Sequence, residues 1–201
     1  AMAPVVPTGS GRGAVLIDCG ANAECSPEYL MQFAYMGSYY AEHILGCPEP
    51  RVGLLNIGAE PSKGTELQTT VYLMLEKAKQ EGRINFVGNV EARDAVEGAV
   101  DVIVTDGYSG NILLKTMEGT ALYVAGEMKK MFKSSLKTKL AALLMKDQLM
   151  QFKKKLSSDE IGGTAMLGIS KPVIKAHGSS GEYAFGNAIK QAAETGELVE
   201  L

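Results

Sequence analysis

Short apolar runs alternate with longer stretches in which apolar residues recur at helical spacing, and most runs leave through a polar, glycine-bearing turn. Ala14-Val15-Leu16-Ile17 predicts a buried strand that ends in Asp18-Cys19-Gly20-Ala21-Asn22. Ser26-Pro27-Glu28 offers an N-cap, a proline at the first helical position and an acid in the first turn, which predicts a helix over 27–45. Val52-Gly53-Leu54-Leu55-Asn56-Ile57-Gly58 predicts a second strand, followed by a helix over 65–81. Ile84-Asn85-Phe86-Val87 and Val102-Ile103-Val104 predict two more strands, which leave through Gly88-Asn89-Val90-Glu91 and Asp106-Gly107-Tyr108-Ser109-Gly110-Asn111. The Pro-, Gly- and Ser-rich opening up to Gly13 reads as an extended lead-in. Apolar strands that alternate mostly with helices imply an α/β protein, a mostly parallel sheet covered by helices on both faces in three α/β/α layers. Ligands of such sheets bind outside the carboxyl ends of the strands, so the polar turns are expected to converge on one rim.

From 110 to 156 the pattern becomes almost uninterrupted helix, expected to protrude as a hairpin over about 115–156 from one domain spanning 1–201. Between Lys129 and Lys155 nine lysines face Asp147 alone, a local charge of +8, while the rest of the chain carries 11 basic and 22 acidic residues, or −11. Leu136, Leu140, Leu143 and Leu144 fall at i, i+4, i+7 and i+8, and Leu149, Phe152 and Leu156 continue the stripe. A solvated hairpin packing on itself or on a second subunit explains this pattern, and so does a basic amphipathic surface that meets an anionic membrane or an acidic protein. On the second reading 141–145 at the tip faces lipid, while Leu122, Met128, Met131 and Phe132 stay within the protein. A Gly-rich connector then leads to Lys171-Pro172-Val173-Ile174-Lys175-Ala176-His177-Gly178-Ser179-Ser180 and a closing helix over 182–194, with Gly196 as its stop.

Composition narrows the function. The 201 residues are 46% hydrophobic and 21% charged, enough to bury a core. A net charge of −3 and an aromatic content of 6% without Trp argue against nucleic acid as the partner. Three cysteines without CxxC or Cys/His spacing suit a reducing cytosol. No apolar run nears the ~20 residues of a membrane span, and no basic leader precedes the first strand. An opening on Ala1 suggests a processed or excerpted chain. There is no GxGxxG, P-loop or GxSxG pattern, and with only His43 and His177 present neither a metal site nor a cofactor is expected. His43 lies within the first helix and reads as structural or solvated, whereas His177, among Lys175, Gly178 and serines, reads equally as a substrate contact or a loop histidine. What remains is anion-binding chemistry: Gly/Asn turns at helix starts with a few cations, Lys63 before one helix and Asn111 at the start of another.

The motifs Ala3-Pro4-Val5-Val6-Pro7-Thr8, Leu16 through Asn22, Arg51 through Gly58, Asn85-Phe86-Val87-Gly88-Asn89-Val90-Glu91 and Val104 through Asn111, continued by 136–155 and Pro172 through Ser180, resemble successive motifs of the bacterial phosphate acyltransferase (PlsX) family. The family pattern opens with a further stretch, including a strand and a Ser-Ala-Gly-Asn-Thr-Gly-type loop, without counterpart here. The resemblance implies transfer of a fatty acyl group from acyl carrier protein to inorganic phosphate for phospholipid synthesis. It also implies a fold similar to isocitrate and isopropylmalate dehydrogenases, and a cytoplasmic homodimer acting peripherally at the membrane. The family's catalytic Lys and Asn match Lys63 and Asn111. Asp18, Gly20, Asn22, Asn56, Gly58, Asn89, Asp106, Gly107 and His177 are the candidate substrate contacts, and Leu140, Leu143, Leu144 and Met145 the candidate membrane or dimer contacts. Two alternatives stand beside this: acyl transfer from coenzyme A, as in phosphotransacetylases, and a non-catalytic membrane-peripheral domain.

Overall fold

The computed structural model describes residues 1–156, 163–176, 178 and 180–199, with the main chain alone at 153–156 and 197–199. In chain order the first elements are β1 (Met2–Ala3), β2 (Val5–Pro7), β3 (Gly13–Ile17), α1 (Pro27–His43), β4 (Val52–Asn56), α2 (Glu66–Gln80), β5 (Phe86–Glu91), α3 (Ala92–Glu97) and β6 (Val102–Val104). There follow α4 (Gly107–Lys133), α5 (Leu136–Leu144), α6 (Lys146–Leu156), β7 (Thr164–Met166), β8 (Val173–Lys175) and α7 (Glu182–Val199).

Five strands form the main sheet in the order β2-β3-β6-β4-β5. β3, β6, β4 and β5 run parallel, and β2 pairs antiparallel on the edge. Side chains alternate across a strand, so neighbouring residues go to opposite faces. Val15, Ile17, Val52, Leu54, Phe86, Val102 and Val104 pack under Leu30, Phe33 and Ala34 of α1 and Val71, Leu75 and Ala78 of α2. Leu16, Ile103 and Val90 go the other way, against Ala95 of α3 and Leu113, Leu114 and Met117 of α4. Helices therefore cover both faces. Each fully buried Leu, Ile or Phe contributes roughly 1.5–3 kcal/mol, so this double cover dominates the stability.

The opening is not a lead-in but two strands. β1 joins β7 and β8 in a second, antiparallel sheet, with Ala1 and Leu167 exchanging main-chain bonds of 2.7 and 2.8 Å, and β2 caps the main sheet. Nor is Gly88-Asn89-Val90-Glu91 a turn: it belongs to β5, whose register to β4 slips by one residue at Val87, with Gly88 at φ +106°. α7 runs through the expected stop at Gly196, and its Gln191 Nε2 donates to Tyr40 Oη of α1 at 2.8 Å.

The 110–156 stretch divides into three helices. Ser135 Oγ accepts from Thr138 N at 3.2 Å while Thr138 Oγ1 accepts from Ser135 N at 3.0 Å, a capping box that starts a new helix. α5 packs against α4 and α6 against α5. Met128 and Phe132 are half-buried, but Leu122 and Met131, expected within the protein, are open to solvent in the single chain. Leu136, at 84%, and Leu144, at 77%, are also exposed. No described helix is long and apolar enough to cross a membrane.

Candidate functional site

Because β3, β6, β4 and β5 are parallel, the segments that follow them leave the sheet at one edge. Two groups of residues assemble there. The first joins the turn after β3 to the start of α4. Gly107 N donates to Asn22 O at 2.8 Å, and a Cβ on Gly107 would lie 2.5 Å from that oxygen. A Cβ on Gly110 would lie 1.9 Å from Asp18 O, so both glycines are required for the helix start to sit on the turn. The approach brings Asn111 beside Gly20, whose φ is +133°.

Asp18 and Asn22, both candidate substrate contacts, bond to each other within this group. The fully buried Asp18 carboxylate accepts from Met2 N (2.8 Å), Gly20 N (3.2 Å), Ala21 N (3.2 Å), Asn22 N (2.7 Å) and Asn22 Nδ2 (2.9 Å). Burial pushes its pKa up, but the bonds from Met2, Asn22 and Ala21 outweigh that and hold it below the ordinary carboxylate value. Asp106 is the N-cap of α4, accepting from Ser109 N at 2.7 Å and Ser109 Oγ at 2.9 Å. Both carboxylates are thus engaged in holding the rim: Asp18 gathers the turn after β3, and Asp106 caps the helix that follows β6.

The second group is the loop after β4. Asn56 Nδ2 donates to Lys63 O at 2.9 Å, Asn56 Oδ1 accepts from Ile57 N at 2.8 Å, and Asn89 Nδ2 donates to Glu60 O at 2.8 Å. A Cβ on the buried Gly58 would lie 3.0 Å from Lys63 Cγ, so the loop folds back under the lysine's stem. Lys63 itself is exposed. β4 and β6 are neighbours in the sheet, so the segments that carry Lys63 and Asn111 follow adjacent parallel strands.

The two groups do not take in every candidate. His177 lies outside the described residues, and His43 is exposed on α1, stacked on Tyr39 at 4.0 Å. Leu140, Leu143, Leu144 and Met145 are on α5 and its C-cap, away from the two groups. Lys115 lies one turn beyond Asn111 on α4 and pairs with Glu118 at 2.7 Å. Lys115 and Lys175 both act on Cys19, whose thiol is pushed up to about 12 by burial and by Asp18 against their opposing charge, so it stays protonated. Among the described residues no three His, Cys, Asp or Glu side chains gather as metal ligands would.

Parallel strands that empty onto one polar edge beneath two helical layers define an α/β protein of the kind seen in a phosphotransacetylase from Streptococcus pyogenes. That structure matches 98% of this chain and 53% of its own at a TM-score of 0.54 and 13% identity. Residues 1–199 match the family described as "Fatty acid synthesis protein", and the chain belongs to that family. It is 50% identical over 194 residues to the phosphate acyltransferases of Anoxybacillus flavithermus and Exiguobacterium sibiricum, covering 96% of this chain. The chain spans 58% and 57% of the length of those two relatives.

Proposed function

We propose that this chain is the larger part of a phosphate acyltransferase that converts acyl-acyl carrier protein and inorganic phosphate to acyl phosphate for phospholipid synthesis. The observation that carries the reading is the adjacency of β4 and β6, whose following segments bear Lys63 and Asn111 at one edge of the sheet. In the reaction a phosphate oxygen attacks the thioester carbonyl carbon, the C–S bond breaks, and the carrier thiolate leaves and is protonated. The Lys63 ammonium offsets the negative charge of the phosphate and aims it. The Asn111 side-chain amide donates to the oxyanion that develops on the carbonyl. Positioning and electrostatics suffice, without a covalent enzyme intermediate. The test uses the full-length protein with acyl carrier protein and coenzyme A thioesters as alternative donors. Lys63→Ala and Asn111→Ala are expected to lower acyl phosphate formation by about 10²–10³-fold at an unchanged melting temperature. Near-wild-type rates in both variants overturn the assignment, and a preference for coenzyme A thioesters moves it to a phosphotransacetylase-like donor.

The basic arm supports a second element of this reading. The chain works in the cytoplasm as a homodimer with the wider fold of isocitrate and isopropylmalate dehydrogenases, one domain from which the arm docks on anionic bilayers. The exposure of Leu136, Leu140, Leu143 and Leu144 beside the lysines favours this, since each lysine near an anionic surface adds about 1 kcal/mol. Flotation with anionic vesicles is expected to carry the wild type and to leave Leu143→Glu behind. Equal binding to neutral vesicles assigns the basic face to the acidic carrier protein instead.

A further inference from the structure

We propose that Asn56 and Asn89 are positioning residues that clamp the Lys63 loop from the two strands beneath it, an inference that rests on the role of Lys63 proposed above. β4 and β5 lie side by side, and each contributes one asparagine near its carboxyl end. Asn56 holds both ends of the loop, through Ile57 N and Lys63 O, while Asn89 reaches its middle at Glu60 O. The Glu60 carbonyl also accepts from Lys63 N at 3.1 Å, so the Asn89 bond ends on the atom that anchors the lysine's own amide. The loop closes on this clamp at Gly64, whose φ is +95° and where a Cβ would lie 2.7 Å from Asn56 Oδ1.

Three features give the arrangement a purpose beyond loop closure. Both clamps are neutral, so they fix the main chain without cancelling the lysine's charge. The loop they fix is exposed at Lys63, where an unrestrained side chain would sample many directions, and a misplacement of about 1 Å can cost on the order of 10²-fold in rate. Asn89 serves the loop by its donor: among the described residues its buried Oδ1 has no hydrogen-bond partner, a cost that an apolar strand residue would avoid. The bond from its Nδ2 to the loop accounts for an asparagine at this place in the sheet.

The experiment is a set of double-mutant cycles in the full-length protein, read together with hydrogen exchange. Asn89→Ala is expected to lower kcat/KM for phosphate by about 10–100-fold, and Asn56→Ala by a similar factor. In a Lys63→Ala background either change should cost less than about twofold further, because the clamp acts through that residue. In an Asn111→Ala background the full loss should remain. The amides of 57–64 should exchange about tenfold faster in Asn89→Ala while those of β6 keep their protection. The proposal falls if the asparagine variants keep wild-type kinetics while Lys63→Ala is impaired, if the losses multiply in the Lys63→Ala background, or if loop exchange does not change. A wild-type protein that makes no acyl phosphate overturns the functional reading, and hydrogen exchange then still decides whether the clamp exists.

Discussion

α1 and α4 each follow a core strand and pack against the sheet, yet they are used differently. α1 buries Leu30, Phe33, Ala34, Gly37, Tyr40 and Ala41, residues spread along almost its whole length. α4 is fully buried only at Gly107 and Gly110, and from Leu122 onward its large apolar residues are mostly open to solvent. Burial along a helix reports support for the sheet. Burial that is complete only at the first turn and partial as far as Met117 reports that the helix start is being placed, while the remainder of α4 adds little to the core of this chain. The root of α4 belongs to the rim that carries Asn111, and its far end to the basic arm.

The sharpest test of this division sits within α4 itself. Gly110→Ala puts a methyl group 1.9 Å from Asp18 O and is expected to destabilise the chain by about 3 kcal/mol in denaturant titrations, at the upper end of overpacking. A Cβ on Gly119 or Gly126 would meet nothing within 4 Å, so alanine at either should stabilise by roughly 0.5–1 kcal/mol through helix propensity alone. A loss at Gly119 or Gly126 comparable to that at Gly110 would erase the boundary between root and arm.

Asp18→Asn tests the root from its other side and is expected to cost about 2 kcal/mol at pH 7, because donors that faced a carboxylate lose an acceptor. The Asp18 pKa is lowered in the folded chain, so its stabilisation is fully present above the unfolded carboxylate value of about 4 and is lost as pH falls through the lowered one. The gap between wild type and Asp18→Asn should therefore narrow below about pH 4; a gap constant from neutral to acid would break the account. The smallest effect belongs to the arm: Leu143→Glu, the flotation variant, should leave the stability of the single chain within about 0.5 kcal/mol.

The parallel strands and the first two helices were legible because their signals are local. Ser26-Pro27-Glu28 starts α1 as its pattern predicts, and Val102-Ile103-Val104 is a strand buried on both faces. β1 and β2 were not legible, since a two-residue strand such as Met2–Ala3 exists only through its pairing with β7. Asn89 was read as a turn residue because Gly88 precedes it, and only the shifted pairing of β5 with β4 keeps the strand running. The break at Ser135 was visible in principle, but a Ser-x-x-Thr capping box is easily lost inside a long apolar repeat.

The amino-acid sequence by itself determined the α/β class, the turns that follow β3, β4 and β6, the segregated charge of 129–155 and, through motif resemblance, the family. Each of these depends on residue order within a short window, where periodicity and capping chemistry act. Tertiary structure alone decided what the polar residues of those turns do. Asp18 and Asp106 read as rim residues in a linear reading, and packing shows which groups they hold: main-chain amides, the Asn22 amide and the Ser109 hydroxyl. Asn56 and Asn89 lie far apart in the chain and meet one loop only because β4 and β5 pair. A hydrogen-bonding group can serve one partner well, and which partner it serves is set by the distances that packing imposes, which no local pattern encodes.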